Sequence, residues 1–406
     1  MAIAILGMRK AQPRSAFRAP LGYANAPMRI SILYREELKE YDFGPGHPFR
    51  GDRYEIFLKF LRENLPEDNN YQILKADWVS DEDLLLICQK EYVDFVKNYY
   101  DAAHFGWLPF LGLSEKASKF LSGDNIPPGR PGKLEEAARL IIGQVKLACD
   151  LIQQGRFRKV VSLGGGMHHA KPSCGEGFCI YNDVAFGAKY LIEKYGLDDT
   201  HPPPRILILD TDAHAGNGTM EYFYRDPKVL FIDLHQDPRT LYPGTGFTYE
   251  IGSGKGKGFT VNCPLLPYAG WDSYQYIFEK VIFPLTEEFQ PQMILRNGGT
   301  DPYWNDELTQ LGLTIVDFRK IGENVREMAK ICDGKEIDMI GSGYNEKAIG
   351  PGWLSLICGL ADIEIPIDEP EPVPQRIQKD LCYQDTKDMV KELKRNLKNY
   401  WRCMAK

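Results

Sequence analysis

Short apolar runs alternate with helical patterns through the middle of the chain. Five such runs, each four to seven residues long, end in glycines and polar residues. Continuous apolar runs of this length are typical of strands buried on both faces of a parallel sheet. The five predicted strands are KVVSL (159–163), RILILD (205–210), KVLFIDL (228–234), QMILR (292–296) and IDMI (337–340).

Helical patterns fill the gaps between these strands. Residues 133–155 and 182–196 carry apolar side chains at intervals of three and four, and each segment ends in glycine. Alternating strands and helices predict an α/β fold, which we expect to be a single domain over residues 28–365 with a central, mainly parallel sheet flanked by helices. Ligands of such sheets bind at the carboxyl ends of the strands, so the polar residues there predict a shared cleft.

The two ends of the chain differ from this domain. Residues 1–27 carry four basic residues and no acidic one, which would suit a targeting peptide for an organelle, but serine is scarce there. A disordered extension or an overlong start is therefore preferred. Residues 366–406 predict a linker and a C-terminal helix that docks on the domain. Four residues are expected on its apolar face: Met389, Leu393, Leu397 and Trp401.

Composition narrows the class of protein. Among 406 residues, Lys and Arg number 49 and Asp and Glu 56, so a net charge of −7 offers no general field for direct nucleic-acid binding. The nine cysteines are scattered and form no CxxC pair, which favours free thiols in the cytoplasm. No apolar run approaches the roughly 20 residues of a membrane helix, so no membrane partner is expected.

Metal-ligand residues follow two of the predicted strands. Asp212 and His214 stand two positions apart after the strand 205–210, so both side chains can face one point. Asp301 in NGGTD is the best third candidate. Two carboxylates and one imidazole leave an open coordination position, which is typical of catalytic zinc, with ferrous iron as the alternative. Aspartates also cap strands and form turns, so this spacing alone does not decide between the two roles.

Acid–base residues follow the other strands. GGGMHHA supplies His168 and His169, and imidazole is suited to accept a proton from metal-bound water. Asp210 is placed to orient one imidazole, and the amide oxygen of Asn217 could orient the other. Tyr344 in GSGYN could donate a hydrogen bond to an oxyanion, although a tyrosine after glycines more often serves packing.

Six motifs taken together resemble those of zinc-dependent histone deacetylases, a family of the arginase/deacetylase superfamily. They follow in the family's order over about residues 29–365, and look closest to the acetoin-utilisation and class I branches. The motifs are HPFRGDR, GGGMHHAKPSCGEGFCIYND, DTDAHAGNG, LYPGTG, GGTDPYWNDEL and GSGYN.

The resemblance implies an arginase/deacetylase fold and a role for each catalytic residue. Zinc would be held by the two aspartates and the histidine named above. His169 would act as general base and then acid, with His168, paired with Asp210, as its electrostatic neighbour. Tyr344 would polarise the acyl carbonyl. A structural potassium is also implied, near Asp210 and the metal ligands.

The resemblance further implies a tunnel for an acyl-lysine side chain. Phe178, preceded by Gly177, and Tyr242 would form its walls, with Leu308 near the mouth and Asp124 holding substrate backbone at the rim. The glycines of GGGMHH would line an inner acetate-release region together with a second group, Arg53.

The chain departs from the family at three positions. Ala215 follows His214 where the family usually has histidine or glutamine. Asn217 replaces a carboxylate, as in the class II branch, and Asp233 stands where many members have serine, beside the expected potassium. Because the metal ligands and the tyrosine are complete, we expect activity.

The function predicted from these residues is a zinc-dependent amidohydrolase that removes acetyl or other acyl groups from lysine side chains of a protein or peptide substrate. An acetylpolyamine or other small-amide deacetylase is the alternative; it would favour an acid at the tunnel mouth, where Leu308 is apolar although Glu307 is adjacent. A manganese ureohydrolase would need more aspartates. A non-catalytic acyl-lysine-binding module is the alternative from another class, and the complete set of catalytic residues argues against it.

Overall fold

Eight parallel strands form one sheet in the computed structural model, which describes residues 30–68, 70–195 and 205–405. The predicted extension at 1–27 lies outside the described residues. The sheet has the order β2-β1-β3-β8-β7-β4-β5-β6, and it confirms the predicted α/β fold. The strands are β1 (Ile30–Leu33), β2 (Tyr71–Leu74), β3 (Lys159–Leu163), β4 (Ile206–Asp210), β5 (Val229–Gln236), β6 (Thr260–Leu265), β7 (Met293–Asn297) and β8 (Glu336–Ile340).

Helices cover both faces of the sheet. Ser162 of β3 contacts Gln144 of α6, whereas Lys159 of the same strand donates to the carbonyl of Leu360 in α12. These two side chains lie three positions apart and therefore point to opposite faces. The helices are α1 (Arg53–Asn64), α2 (Asp81–Leu84), α3 (Lys90–Phe105), α4 (Leu108–Leu111), α5 (Ser114–Phe120), α6 (Leu134–Gln153), α7 (Asp183–Lys194), α8 (Asn217–Phe223), α9 (Trp271–Ile277), α10 (Phe283–Phe289), α11 (Ile315–Ala329), α12 (Glu346–Ala361) and α13 (Tyr383–Leu397).

Of the three strands outside the five predicted runs, β2 and β6 lie at the edges of the sheet and β1 lies between β2 and β3. In β2 only Tyr71 is buried, so the strand lacks the continuous apolar run of a central strand. The other edge strand, β6, contains Asn262 and Pro264, which obscure its pattern. Edge strands tolerate proline because one side of their backbone needs no partner.

The C-terminal helix packs against the domain through a narrower face than expected. Val390, Leu393 and Leu397 are buried. The expectation that Trp401 shares this face was wrong, because α13 ends at Leu397 and the chain turns before the tryptophan. The Trp401 indole is nevertheless buried, and its Nε1 donates to the carbonyl of Gly258 (2.6 Å).

The four middle strands position the functional residues. Strands β3, β8, β7 and β4 are neighbours and run parallel, so their carboxyl ends lie along one edge of the sheet. The loops GGGMHH, GSGYN, NGGTD and TDAHAG leave from these four ends. Within the described ranges, the helices are all too short or too polar to cross a membrane.

Candidate active site

Three side chains at the ends of β4 and β7 converge on one point. His214 Nδ1 lies 3.1 Å from Asp212 Oδ1 and 3.1 Å from Asp301 Oδ2. The two loops leave the sheet side by side because Asp210 and Asn297 are paired in register. Ligand atoms on one tetrahedral zinc are about 3.3 Å apart, since each lies about 2.0 Å from the ion. The spacing and the donor set therefore fit a single divalent ion.

The surrounding hydrogen bonds hold the carboxylates in place. Asp301 accepts from the backbone nitrogen of Ala213 (3.0 Å) and from Ser342 Oγ (2.8 Å), and it is fully buried. Burial, followed by repulsion from Asp212, raises the pKa of the Asp301 carboxyl. Two buried carboxylates that face each other favour a cation between them. No pattern in the sequence singles out Ser342.

The first histidine of the pair is held by a buried carboxylate. His168 Nδ1 donates to Asp210 Oδ2 (2.8 Å), and Asn297 Nδ2 donates to both oxygens of Asp210 (2.9 and 3.0 Å). Burial alone would lower the pKa of His168, but the nearby Asp210 and Asp212 carboxylates outweigh it and raise the pKa to about 9. The hydrogen bond to Asp210 thus favours the protonated form of this imidazole.

The second histidine has a neutral partner. His169 Nδ1 donates to Asn217 Oδ1 (2.7 Å), and its Nε2 lies 3.1 Å from His168 Nε2. Burial and the positive charge of His168 hold the pKa of His169 well below its usual value. His169 is thus neutral and able to accept a proton. Gly177 packs against this ring so closely that a Cβ there would lie 2.3 Å from Cδ2 of His169.

Tyr344 lies past the end of β8 and lines the cavity with the metal ligands, and Arg53, the first residue of α1, is hydrogen-bonded to the same loop. The backbone nitrogen of Tyr344 donates to Asp306 Oδ2 (2.8 Å), and burial raises the pKa of its phenol, so the hydroxyl keeps its proton at neutral pH. Arg53 is buried, and its guanidinium donates to the carbonyls of Gly341 (2.9 Å) and Gly343 (3.1 Å). A phenol proton next to the metal site can stabilise an oxyanion.

A cavity of about 300 Å³ joins these groups to the surface. Phe178 and Tyr242 line it, together with Leu308 and Asp124. Tyr242 is 41 % exposed, which places it at the opening, and Phe178 is half-buried. The cavity is lined by every residue predicted for the substrate, by two of the three predicted metal ligands, Asp212 and His214, and by the catalytic candidates His168, His169 and Tyr344.

The wall residue Phe178 has a backbone conformation that L-residues seldom adopt. Its φ is +65°, and two side chains fix its peptide groups. Asn125 Oδ1 accepts from the Phe178 nitrogen (2.9 Å), while the Tyr41 hydroxyl donates to the Phe178 carbonyl (2.7 Å). Strain of this kind persists where the surroundings over-determine it, commonly at functional sites. Asn125 follows the rim residue Asp124, so it ties the rim to the wall, a link that sequence reasoning missed.

The residues near the implied potassium already have partners. Asp233 Oδ1 accepts from His235 Nδ1 (2.9 Å), and Asp233 Oδ2 accepts from the backbone nitrogen of Gly216 (2.8 Å). His235 Nε2 lies 2.9 Å from the carbonyl of Gly246. Carboxylate oxygens suit a hard cation, but both oxygens of this one already accept hydrogen bonds. Potassium here stays a prediction.

Comparisons with known proteins point to one family. The histone deacetylase domain matches residues 47–360. A "Probable deacetylase" of Archaeoglobus fulgidus is 33 % identical over 384 residues, which cover 93 % of this chain and 99 % of the relative. An "Acetoin utilization protein AcuC" of Staphylococcus aureus (strain COL) is 34 % identical over 340 residues, 82 % of each chain. The solved HDA15 HD domain shares the fold, with a TM-score of 0.75, 23 % identity and coverage of 93 % and 97 %.

Proposed function

This chain belongs to the histone deacetylase family, as the motifs predicted, and we propose that it is a zinc-dependent deacetylase of lysine side chains in proteins or peptides. Membership in the family makes it a deacetylase; the metal and the substrate class are the proposal. The observation that carries it is the cavity, which has two aromatic walls, a carboxylate at its rim and the Asp212–His214–Asp301 cluster at its base.

The metal ligands and the acid–base residues divide the reaction between them. Zinc, or ferrous iron as the alternative, would be held by the Asp212–His214–Asp301 cluster and would supply Lewis-acid polarisation and a water whose pKa is lowered to about 7. His169 accepts a proton from the attacking water through Nε2 and then gives it to the leaving lysine nitrogen. His168, held by Asp210, keeps a positive charge beside it. Tyr344 donates its phenol proton in a hydrogen bond to the carbonyl oxygen as negative charge develops there.

The walls and the rim favour a lysine side chain within a peptide. Phe178 and Tyr242 can enclose the four-carbon stem, and each buried methylene contributes about 0.8 kcal/mol. Asp124 at the rim can accept hydrogen bonds from the backbone amides that flank an acyl-lysine. A free acetylpolyamine has no such amides.

All nine cysteines are unpaired, which supports the cytoplasm as the proposed location.

A substrate comparison tests the proposal. We expect turnover of an acetyl-lysine peptide that a chelator abolishes and added zinc restores, with a higher kcat/KM than for N-acetylputrescine. Asp124→Ala should lower kcat/KM for the peptide by about 10–100-fold, the value of lost hydrogen bonds to a charged group, and change the value for N-acetylputrescine little. An enzyme that prefers N-acetylputrescine and ignores Asp124→Ala is not a lysine deacetylase.

A polyamine deacetylase is the second candidate, and one side chain favours it. Glu307 is exposed beside Leu308, where its carboxylate could attract the distal ammonium of a polyamine. Glu307→Gln is therefore the matched variant. It should lower kcat/KM for N-acetylputrescine only if the protein is a polyamine deacetylase. If the protein binds the peptide but shows no turnover with any metal tested, it is instead a non-catalytic acyl-lysine-binding module.

A further inference from the structure

We propose that Glu176 is a positioning residue that fixes the amide orientation of Asn217 and thereby places the proton of neutral His169 on Nδ1. The inference rests on the proposed function, because it concerns the nitrogen through which His169 accepts a proton. Glu176 belongs to none of the roles described above. It stands on the loop between the histidine pair and the tunnel wall, next to Gly177.

The Glu176 carboxylate contacts the amide from the side opposite the histidine. Glu176 Oε2 accepts from Asn217 Nδ2 (3.1 Å), and Glu176 Oε1 accepts from Lys171 Nζ (2.7 Å). The side chain is 22 % exposed, so this ion pair is shielded in part from solvent. A carboxylate paired with a lysine is ionised, and an ionised carboxylate only accepts hydrogen bonds.

This contact determines which way the amide points. An asparagine amide has one accepting and one donating end, which a rotation of the side chain exchanges. Because Glu176 accepts, Asn217 presents its NH₂ group to that side. The amide oxygen must then face His169, as its distance of 2.7 Å from Nδ1 requires. An amide oxygen only accepts, so Nδ1 of His169 carries the hydrogen.

The position of that hydrogen decides whether His169 can act as a base. Neutral imidazole has one N–H and one lone pair. With the hydrogen on Nδ1, the lone pair is on Nε2, which lies 3.1 Å from His168 Nε2 and beside the cavity. The opposite amide orientation would put the hydrogen on Nε2 and remove the acceptor from the cavity. A carboxylate at position 217 would select the productive form alone; here the neutral Asn217 needs Glu176 behind it.

Exchanging the two polar groups tests the proposal on the zinc-loaded full chain. Glu176→Leu frees the amide, and we expect kcat on an acetyl-lysine peptide to fall about 10–100-fold, typical of a partner that orients a ligand or base. Glu176→Gln should keep most of the rate, because the glutamine oxygen can still accept. Asn217→Asp alone puts two carboxylates in contact and should lower kcat. The double variant Glu176→Gln/Asn217→Asp should recover it, because the glutamine NH₂ can donate to the new carboxylate.

A readout independent of turnover separates this inference from the proposed function. Nitrogen-15 spectra of labelled histidines report which ring nitrogen of His169 carries the hydrogen. We expect Nδ1–H in the wild type and a mixture in Glu176→Leu. Retention of pure Nδ1–H in Glu176→Leu, or a double variant no faster than Asn217→Asp, would overturn the role of Glu176. An inactive wild type with the expected spectra would overturn only the proposed function.

A nearby carboxylate supplies the matched control. Glu221 Oε2 lies 4.0 Å from Lys171 Nζ, and the Glu221 side chain is mostly exposed. Glu221→Leu removes the same charge from the same lysine without touching Asn217. Its kcat and its His169 spectrum should equal those of the wild type, and an effect as large as that of Glu176→Leu would assign both effects to local charge instead.

Discussion

Two clusters of charged residues lie on or just past the central strands, and they differ in composition and in access to the cavity. The site cluster (Asp212, His214 and Asp301) lies past the carboxyl ends of β4 and β7. The sealed cluster (Lys159, Arg296, Glu336 and Asp338) lies within β3, β7 and β8. In the sealed cluster, Arg296 is directly opposite Asp338 and pairs with it, and Lys159 is directly opposite Glu336.

The clusters differ in their balance of acidic and basic residues and in whether they reach the active-site cavity. The sealed cluster contains two acidic and two basic residues, and none of them lines the active-site cavity. In the site cluster two carboxylates accompany one histidine, and both Asp212 and His214 line the cavity. A buried charge is costly unless it is paired, so Arg296 and Asp338 offset each other within the sheet while the site cluster is completed by an ion. Buried charge indicates a site only where it is unbalanced and reachable.

The largest effect is expected at the site cluster. Asp212→Ala removes a metal ligand and should lower kcat on an acetyl-lysine peptide by about 10³-fold or more, because metal polarisation contributes several kcal/mol. Elemental analysis should find about one equivalent of metal in the wild type and none in the variant, given three protein ligands per ion. Equal metal in both proteins would contradict the assignment. Folding should be retained, since the side chain borders a cavity.

A substitution that breaks an ion pair in the sealed cluster should lower the stability of the fold. Arg296→Met leaves Asp338 buried without its partner, and the free energy of unfolding in urea should fall by about 3–5 kcal/mol. The double variant Arg296→Met/Asp338→Leu should recover most of that loss, because two apolar residues replace the pair. Metal content should stay near the wild-type value. A single variant as stable as the wild type would show that the pair is not sealed from water.

Tyr344→Phe should affect activity without affecting stability, because it removes one hydroxyl at the site and changes no charge. Loss of one oxyanion donor should lower kcat by about 10²–10³-fold. Metal content and the urea midpoint should be unchanged, since the Tyr344 backbone nitrogen keeps its bond to Asp306. Turnover near the wild-type rate would assign Tyr344 to packing.

The smallest expected effect is a pH dependence of folding stability that comes from Glu336. Burial, followed by repulsion from Asp338, raises the pKa of Glu336 well above its usual value, and its carboxyl oxygens have no hydrogen-bond partner among the described residues. Above the unfolded pKa of about 4.5 the unfolded chain loses this proton while the folded chain keeps it, so stability falls as pH rises, by up to about 1.4 kcal/mol per pH unit. Glu336→Gln should lack this slope and gain stability over the wild type between pH 5 and 7. Parallel stability curves for the two proteins would show that Glu336 is ionised.

The sequence by itself determined five of the eight strands, the helices α6, α7 and α13, and the candidate ligands, because these depend on local periodicity. Alternate residues of an extended strand share a face, which predicted that Asp212 and His214 face one point. The two side chains do meet, but in the bend that follows β4. The motifs identified the family and predicted the roles of His169 and Tyr344. The edge strand β6 and the end of α13 were not predicted. Polar residues interrupt the apolar pattern of β6, and the apolar spacing of α13 continues past its last residue.

The tertiary structure alone decided which distant residues meet. Strand order is set by the packing of side chains far apart in the chain, and it places β7 between β4 and β8, so that Asp301 reaches the other two ligands and Arg296 reaches Asp338. A glutamate and an asparagine 41 residues apart carry no pattern that pairs them, yet the folded loops bring Glu176 to Asn217. Local spacing sets the face of each side chain, whereas its partner depends on register and loop paths that only the packed chain fixes.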